Sequence, residues 1–375
     1  MKKLITITFA LLLSVSGFAQ NLKEVLKQAK KENKLVFIDC YFTGCIPCAE
    51  MDKDVFPNAA VKAEIEKNFL LLKVDIFKDK LGDTLKVQHI LNGFPTFLVL
   101  NGDGKLINSS SGFKDAGNLL TLFADARKKA AQHQFLSGYS TDFESKNYPA
   151  FYVEFCKTRK GITASTLAAY SDSLKNFKAV NALLPYLVSR SADEKAIQTI
   201  FADYKTFAAL YGEEVLQPVI DYGLTQKLGL QLKNNMNDST FESFLADEKK
   251  SFTEKTWKIC LQTLGNKYFL GMKKDTTAYL NFAIKNPVLY QYHFSALYSS
   301  MLVRKSLTPG RLQLFCKWAD AIITENSSLE LIKIAASIHQ LAKNTAGYNH
   351  FVAMANAYAG KYQIPIAETT ISGSK

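Results

Sequence analysis

The apolar positions change period several times within the first 130 residues. Residues 21–33 ("NLKEVLKQAKKEN") carry apolar side chains at helical spacing. "KLVFIDCYF" is apolar on both faces, as expected of a strand inside a sheet covered on both sides. Pro47 stands where a helix can begin, because its missing N–H costs nothing in a first turn, and "CAEMDKDVF" continues that helix. "NAAVKAEIEKN" reads as another short helix, "FLLLKVDI" as a second buried strand, and "DTLKVQHIL" as a helix ending at "NG". "FPTFLVL" is a third strand, "NGDG" a tight turn, and "KLINSSSG" a fourth strand. "AGNLLTLFADARKKAAQ" closes the unit as an amphipathic helix. The pattern predicts the order α-β-α-β-α-β-β-α over residues 20–134.

From about residue 135 the texture changes. Helix-length blocks are punctuated by "GITAS", "NNMNDS", "LTPG", "TENSS" and "KNTAG", with no convincing strand runs. Residues 135–375 are therefore expected to form an all-α domain whose frequent aromatics pack between helices. Near the end, Phe351, Met354, Ala355 and Tyr358 fall at offsets 0, 3, 4 and 7. That spacing resembles the first helix of a tetratricopeptide repeat, and the upstream stretch reads as two neighbouring helices. The period does not extend back through the rest of the half, so an array of helix pairs is the expectation.

Composition adds a compartment. Residues 1–19 combine Lys2 and Lys3 with an apolar run too short to span a bilayer and a small residue at the expected cut, the pattern of a secretory signal peptide. No further segment is long and apolar enough for stable membrane insertion. The net charge of +12 is spread through the chain without a basic stripe, so nucleic acid is not an expected partner. Six cysteines in 375 residues make no disulfide scaffold. Cys40, Cys156, Cys260 and Cys316 are flanked by apolar residues and read as buried small hydrophobes.

Cys45 and Cys48 differ, being close in sequence in "GCIPC". A Cys-x-x-Cys pair can be half a zinc site, a structural bridge or a redox couple. Zinc needs four ligands, and His89, His133, His293, His339 and His350 are scattered without a second motif, so no metal or other cofactor is expected. Redox chemistry needs an acidified thiolate, which the free N–H groups and dipole of a helix start provide. Cys45 precedes the predicted helix and Cys48 lies in its first turn, with Pro47 holding the turn. The spacing thus supplies a nucleophile and a resolving thiol on one element.

"KLVFIDCYFTGCIPCAEMDKDVF", "LLLKVDI" and "GFPTFLVLNGDGKLI", in that order, resemble the thioredoxin family, nearest to the exported thiol–disulfide oxidoreductases of Gram-negative envelopes. The resemblance covers residues 21–130 and implies an α/β thioredoxin-like N-terminal domain ahead of the all-α helical-pair domain. It implies Cys45 as nucleophile and Cys48 as resolving cysteine. Asp39 matches the buried acid that takes a proton from the second cysteine, with a pKa raised by its apolar strand. Pro95 matches the cis-proline beside the disulfide, and the neighbouring Phe94 and Thr96 belong to the segment where an extended substrate would pair. Gly44 and Tyr41 stand where the family usually carries tryptophan. Ile46 replaces a usual glycine and restores some of the lost apolar cover. The lysine that often accompanies the buried acid falls on Leu71, with Lys73 two residues on and able to face the same side.

The functional expectation is an exported, periplasmic thiol–disulfide oxidoreductase of reductase or isomerase type. Its partners would be protein thiols and disulfides and an envelope electron donor or acceptor. The competing expectation is a binding or assembly protein in which the helical half does the work and Cys45–Cys48 is a structural bridge. Under either, the helical half is expected to hold a substrate or partner, a second copy of the chain among the candidates.

Overall fold

The computed structural model describes residues 22–141, 144–233, 237–287 and 291–364. The expected signal segment lies outside the described residues. The first unit runs α1 (Leu22–Glu32), β1 (Leu35–Tyr41), α2 (Ile46–Glu50), a π turn (Met51–Val55), α3 (Ala59–Asn68), β2 (Phe69–Asp75), α4 (Lys80–Gln88), β3 (Thr96–Leu100), β4 (Leu106–Ser111) and α5 (Ala116–Ala131). The strands lie in the order β2-β1-β3-β4. β1 pairs β2 in parallel, and β3 is antiparallel to both β1 and β4. The turn between β3 and β4 closes with Gly104 at φ +78°, where a glycine carries no Cβ penalty.

Alternation along β1 sends its side chains to two cores. Val36, Ile38 and Cys40 join Val25 and Ala29 of α1 and Leu85 and Val87 of α4. Phe37 points the other way, meeting Phe123 of α5 edge-on at 4.8 Å and Phe97 at 5.5 Å. Asp39 shares the parity of Phe37 and so belongs to the face that carries Met51, Val55 and Val61. All four remaining cysteines are buried and free.

The helical region comprises α6 (Ala150–Thr158), α7 (Ala164–Ser173), α8 (Leu184–Ser189), α9 (Glu194–Ala202), α10 (Tyr204–Tyr211), α11 (Glu213–Leu232), α12 (Asp238–Glu248), α13 (Glu254–Gly265), α14 (Thr276–Lys285), α15 (Gln291–Val303), α16 (Pro309–Ile322), α17 (Leu329–Leu341) and α18 (Thr345–Tyr362). Among the described residues no helix is long and apolar enough to cross a membrane. α17 and α18 form a hairpin with Phe351, Ala355 and Tyr358 buried on its inner face.

The helices split into two packing groups. Side chains from Tyr139 to Tyr268 continue the apolar core on the α1/α4 face of the sheet, so that core crosses from one half of the chain into the other. Lys86, Gln88 and His89 are buried there despite their polarity. The Tyr152 hydroxyl donates to Val87 O at 2.8 Å across the same seam. A second core gathers around Trp318 and serves α14 to α18. Its last helix returns to the opposite side of the sheet. There Asn58 donates to Tyr362 O, and the Asp115 carboxylate accepts Leu329 N at 3.2 Å. Gly117 admits Tyr358 closely, since a Cβ there would stand 2.4 Å from the phenolic oxygen.

Candidate functional site

β1 ends at Tyr41, and a short loop carries the chain into α2. Gly44 takes φ +94° in that loop, a conformation natural to glycine and strained for other residues. Thr43 anchors the loop by donating from its N–H (3.1 Å) and hydroxyl (2.7 Å) to Asp75 Oδ2 at the end of β2. Cys45 is the N-cap residue of α2, and its sulfur accepts the Cys48 N–H at 3.3 Å. Pro47 occupies the first turn, as the sequence leads one to expect. Cys45 and Cys48 are joined in a disulfide, both largely buried.

The neighbouring loop brings Phe94 and Pro95 up through a cis peptide bond. Pro95 O accepts Gly112 N at 2.8 Å, tying the loop to the end of β4. Thr96 is fully buried, and its hydroxyl donates to Gly93 O and lies 3.2 Å from Ser111 Oγ. Phe94 is half-buried and meets Phe42 edge-on at 5.4 Å. Phe42 in turn meets Phe77 at 5.8 Å. Ile46 is 72% exposed and Phe77 63% exposed, so the rim of the disulfide is apolar and open. Neither Phe42 nor Phe77 is singled out by the sequence. Their only signal is an aromatic placed next to a turn.

Beneath the helix, Asp39 is 2% exposed and its Oδ1 has no hydrogen-bond partner. Burial raises its pKa to about 6, against the attraction of Lys73 and with a further push from Asp52. Lys73 is the register partner of Asp39 across β1 and β2, its Nζ 3.5 Å from Asp39 Oδ2. It also pairs with Asp52 of the π turn. Lys73, and not Leu71, is therefore the residue that faces Asp39, since Leu71 pairs with Phe37, one full pleat away on the same face. Asp52 escapes sequence reasoning, although it stands one turn beyond Cys48. Cys40 is buried beside Asp39, and burial raises its thiol pKa far above the usual value, which makes it inert.

Comparison with known proteins agrees with this geometry. Residues 22–127 match the family model described as a thioredoxin-like domain. Relatives named thiol:disulfide interchange protein DsbD include one from Vibrio vulnificus strain CMCP6, 31% identical over 105 residues, or 27% of this chain and 17% of that protein. One from Pasteurella multocida is 32% identical over 106 residues, covering 27% and 18%. Another from Vibrio cholerae is 33% identical over 86 residues, covering 22% and 14%. The chain thus spans less than a fifth of the length of these relatives. The N-terminal unit is a thioredoxin-like domain, followed by a helical region that lies beyond the residues the family model matches.

Proposed function

We propose, from the thioredoxin-like domain of residues 22–127, that the chain is an exported thiol–disulfide oxidoreductase of reductase or isomerase type acting on protein disulfides in the periplasm. The observation that carries this reading is the Cys45–Cys48 pair at a helix start, with a buried acid of raised pKa on the strand that leads into it. The N-terminal Lys2–Lys3 and apolar run support export.

In the reduced state the Cys45 thiolate attacks one sulfur of a substrate disulfide. A mixed disulfide forms, and the other substrate sulfur leaves as a thiolate that takes a proton. The Cys48 thiol then gives up its proton and attacks Cys45 Sγ. The Cys45–Cys48 bond forms, and the second substrate sulfur is released. Two electrons pass from the dithiol to the substrate, and a dithiol donor restores the couple. The Cys48 N–H directed at Cys45 Sγ favours the thiolate on Cys45. Asp39, with its pKa near 6, is suited to accept the Cys48 proton near neutral pH.

The competing reading keeps the pair as a stable bridge on a helical binding protein, and the low exposure of both cysteines favours it. Equilibration of the mature protein in graded thiol–disulfide buffers separates the two. A potential within about −270 to −120 mV with rapid exchange, lost in Cys45→Ser, supports the oxidoreductase. A pair that stays oxidised well below that range overturns it.

A further inference from the structure

Residues 90–92 lie outside any helix or strand, between α4 and the Gly93–Phe94–Pro95 loop. Their backbone carbonyls have no ladder partner and must find one elsewhere. Those of Leu91 and Asn92 find it in the helical region. Arg190, which ends α8, donates from its guanidinium to Asn92 O at 2.7 Å. Arg159, which ends α6, reaches Leu91 O at 3.5 Å. The Asn92 side chain answers by donating to Leu187 O, in the last turn of α8, at 3.1 Å. On the other flank, Glu214 in the first turn of α11 accepts Ser110 Oγ at 3.0 Å and Ser111 N at 3.2 Å. The next residue, Gly112, donates to Pro95 O.

Two exposed side chains, Arg159 and Arg190, therefore tie the loop to helices more than sixty positions away in sequence, and a third, Glu214, ties the end of β4 against which Pro95 O is bonded through Gly112. Charge-assisted hydrogen bonds are about twice as strong as neutral ones. Nothing else about Arg159, Arg190 or Glu214 requires these contacts, since each is exposed and could face water. Resting on the exchange activity argued above, we propose that Arg159, Arg190 and Glu214 are positioning residues. Through them the helical region fixes the substrate-pairing edge at Phe94–Pro95, so that the two halves of the chain build one substrate site.

The test uses the full mature chain with Arg159→Ala/Arg190→Ala, Glu214→Ala and the conservative Arg190→Lys. Three quantities are read, the first two being turnover of a short cystine-bridged peptide, split into KM and kcat, and the rate at which dithiothreitol reduces Cys45–Cys48. A third is hydrogen exchange of the backbone across residues 91–96. Misplacing a binding edge by about 1 Å costs up to about a hundredfold. The expected result is a peptide KM raised at least about tenfold in the double variant and partly rescued in Arg190→Lys. Reduction by dithiothreitol should stay within about twofold, and exchange of residues 91–96 should quicken. An unchanged peptide KM, or peptide and dithiothreitol rates that fall together, overturns the proposal. If the wild type itself ignores dithiothreitol, the oxidoreductase reading fails. Hydrogen exchange then still decides the bracing: unchanged protection of residues 91–96 in the double variant refutes it.

Discussion

Lys73 stands opposite Asp39 in the parallel register of β1 and β2, with its ammonium 3.5 Å from the buried carboxylate. The same ammonium is shared with Asp52 on the helix side. One cation thus links the acid beneath the disulfide to the turn that follows Cys48.

This sharing makes the acidity of Asp39 adjustable in both directions. Lys73→Met removes the attraction that holds the carboxylate down, so its pKa should rise above about 6. Asp52→Asn removes a repulsion and leaves Lys73 to Asp39 alone, so its pKa should fall. Carboxyl carbon resonances followed against pH check both directions. The acidic limb of the exchange rate should move the same way, with about a tenfold loss at pH 7 in Lys73→Met.

The same carboxyl costs stability at neutral pH. Its folded pKa of about 6 lies above the ordinary 3.8, so between those values the native state holds more protons than the unfolded chain. Stability from this group falls as pH rises through the window, by about 3 kcal/mol in all. Asp39→Asn should therefore be more stable than wild type above pH 6, by up to about that amount, and level with it near pH 4. Urea midpoints measured from pH 4 to 8 test the sign.

His89 works in the opposite sense. It is buried in the seam, 5.7 Å from the Tyr139 ring, and burial lowers its pKa from 6.5 to about 4. Between those values the unfolded chain binds the extra proton, so stability is full above pH 6.5 and is lost as pH falls, by about 3 kcal/mol. His89→Phe should remove this acid-side loss, which would appear as a flatter melting temperature between pH 6.5 and 4.

Gly82 faces the backbone of Ile76, and a Cβ there would stand 2.6 Å from the Ile76 Cα and 2.7 Å from its carbonyl oxygen. No rotamer relieves a clash with backbone. Gly82→Ala should cost about 3 kcal/mol by shifting α4 off the end of β2. Gly161→Ala, where the added atom meets open space, should stay within about 0.5 kcal/mol. Denaturant unfolding of the two variants side by side makes the comparison.

The strands were legible because β1 and β3 are buried on both faces and therefore read as continuous apolar runs. The Cys-x-x-Cys helix was legible from Pro47. Register was not. Leu71 and Lys73 share a face, so local pattern named both positions without showing that Lys73 is the one opposite Asp39. Nothing in "DTLKVQHIL" announces that Lys86, Gln88 and His89 will be buried, because the helices packed there come from the far half of the chain. Arg190 and Asn92 meet across 98 positions and leave no local trace.

That separation also sets a limit on any shortened version of the protein. A fragment ending at residue 134 keeps all four strands but loses Arg159, Arg190 and Glu214, and with them every side chain from Tyr139 onward that covers the α4 face. It would present an apolar flank to water beside an untethered Asn92 loop, so its tendency to self-associate should rise with concentration.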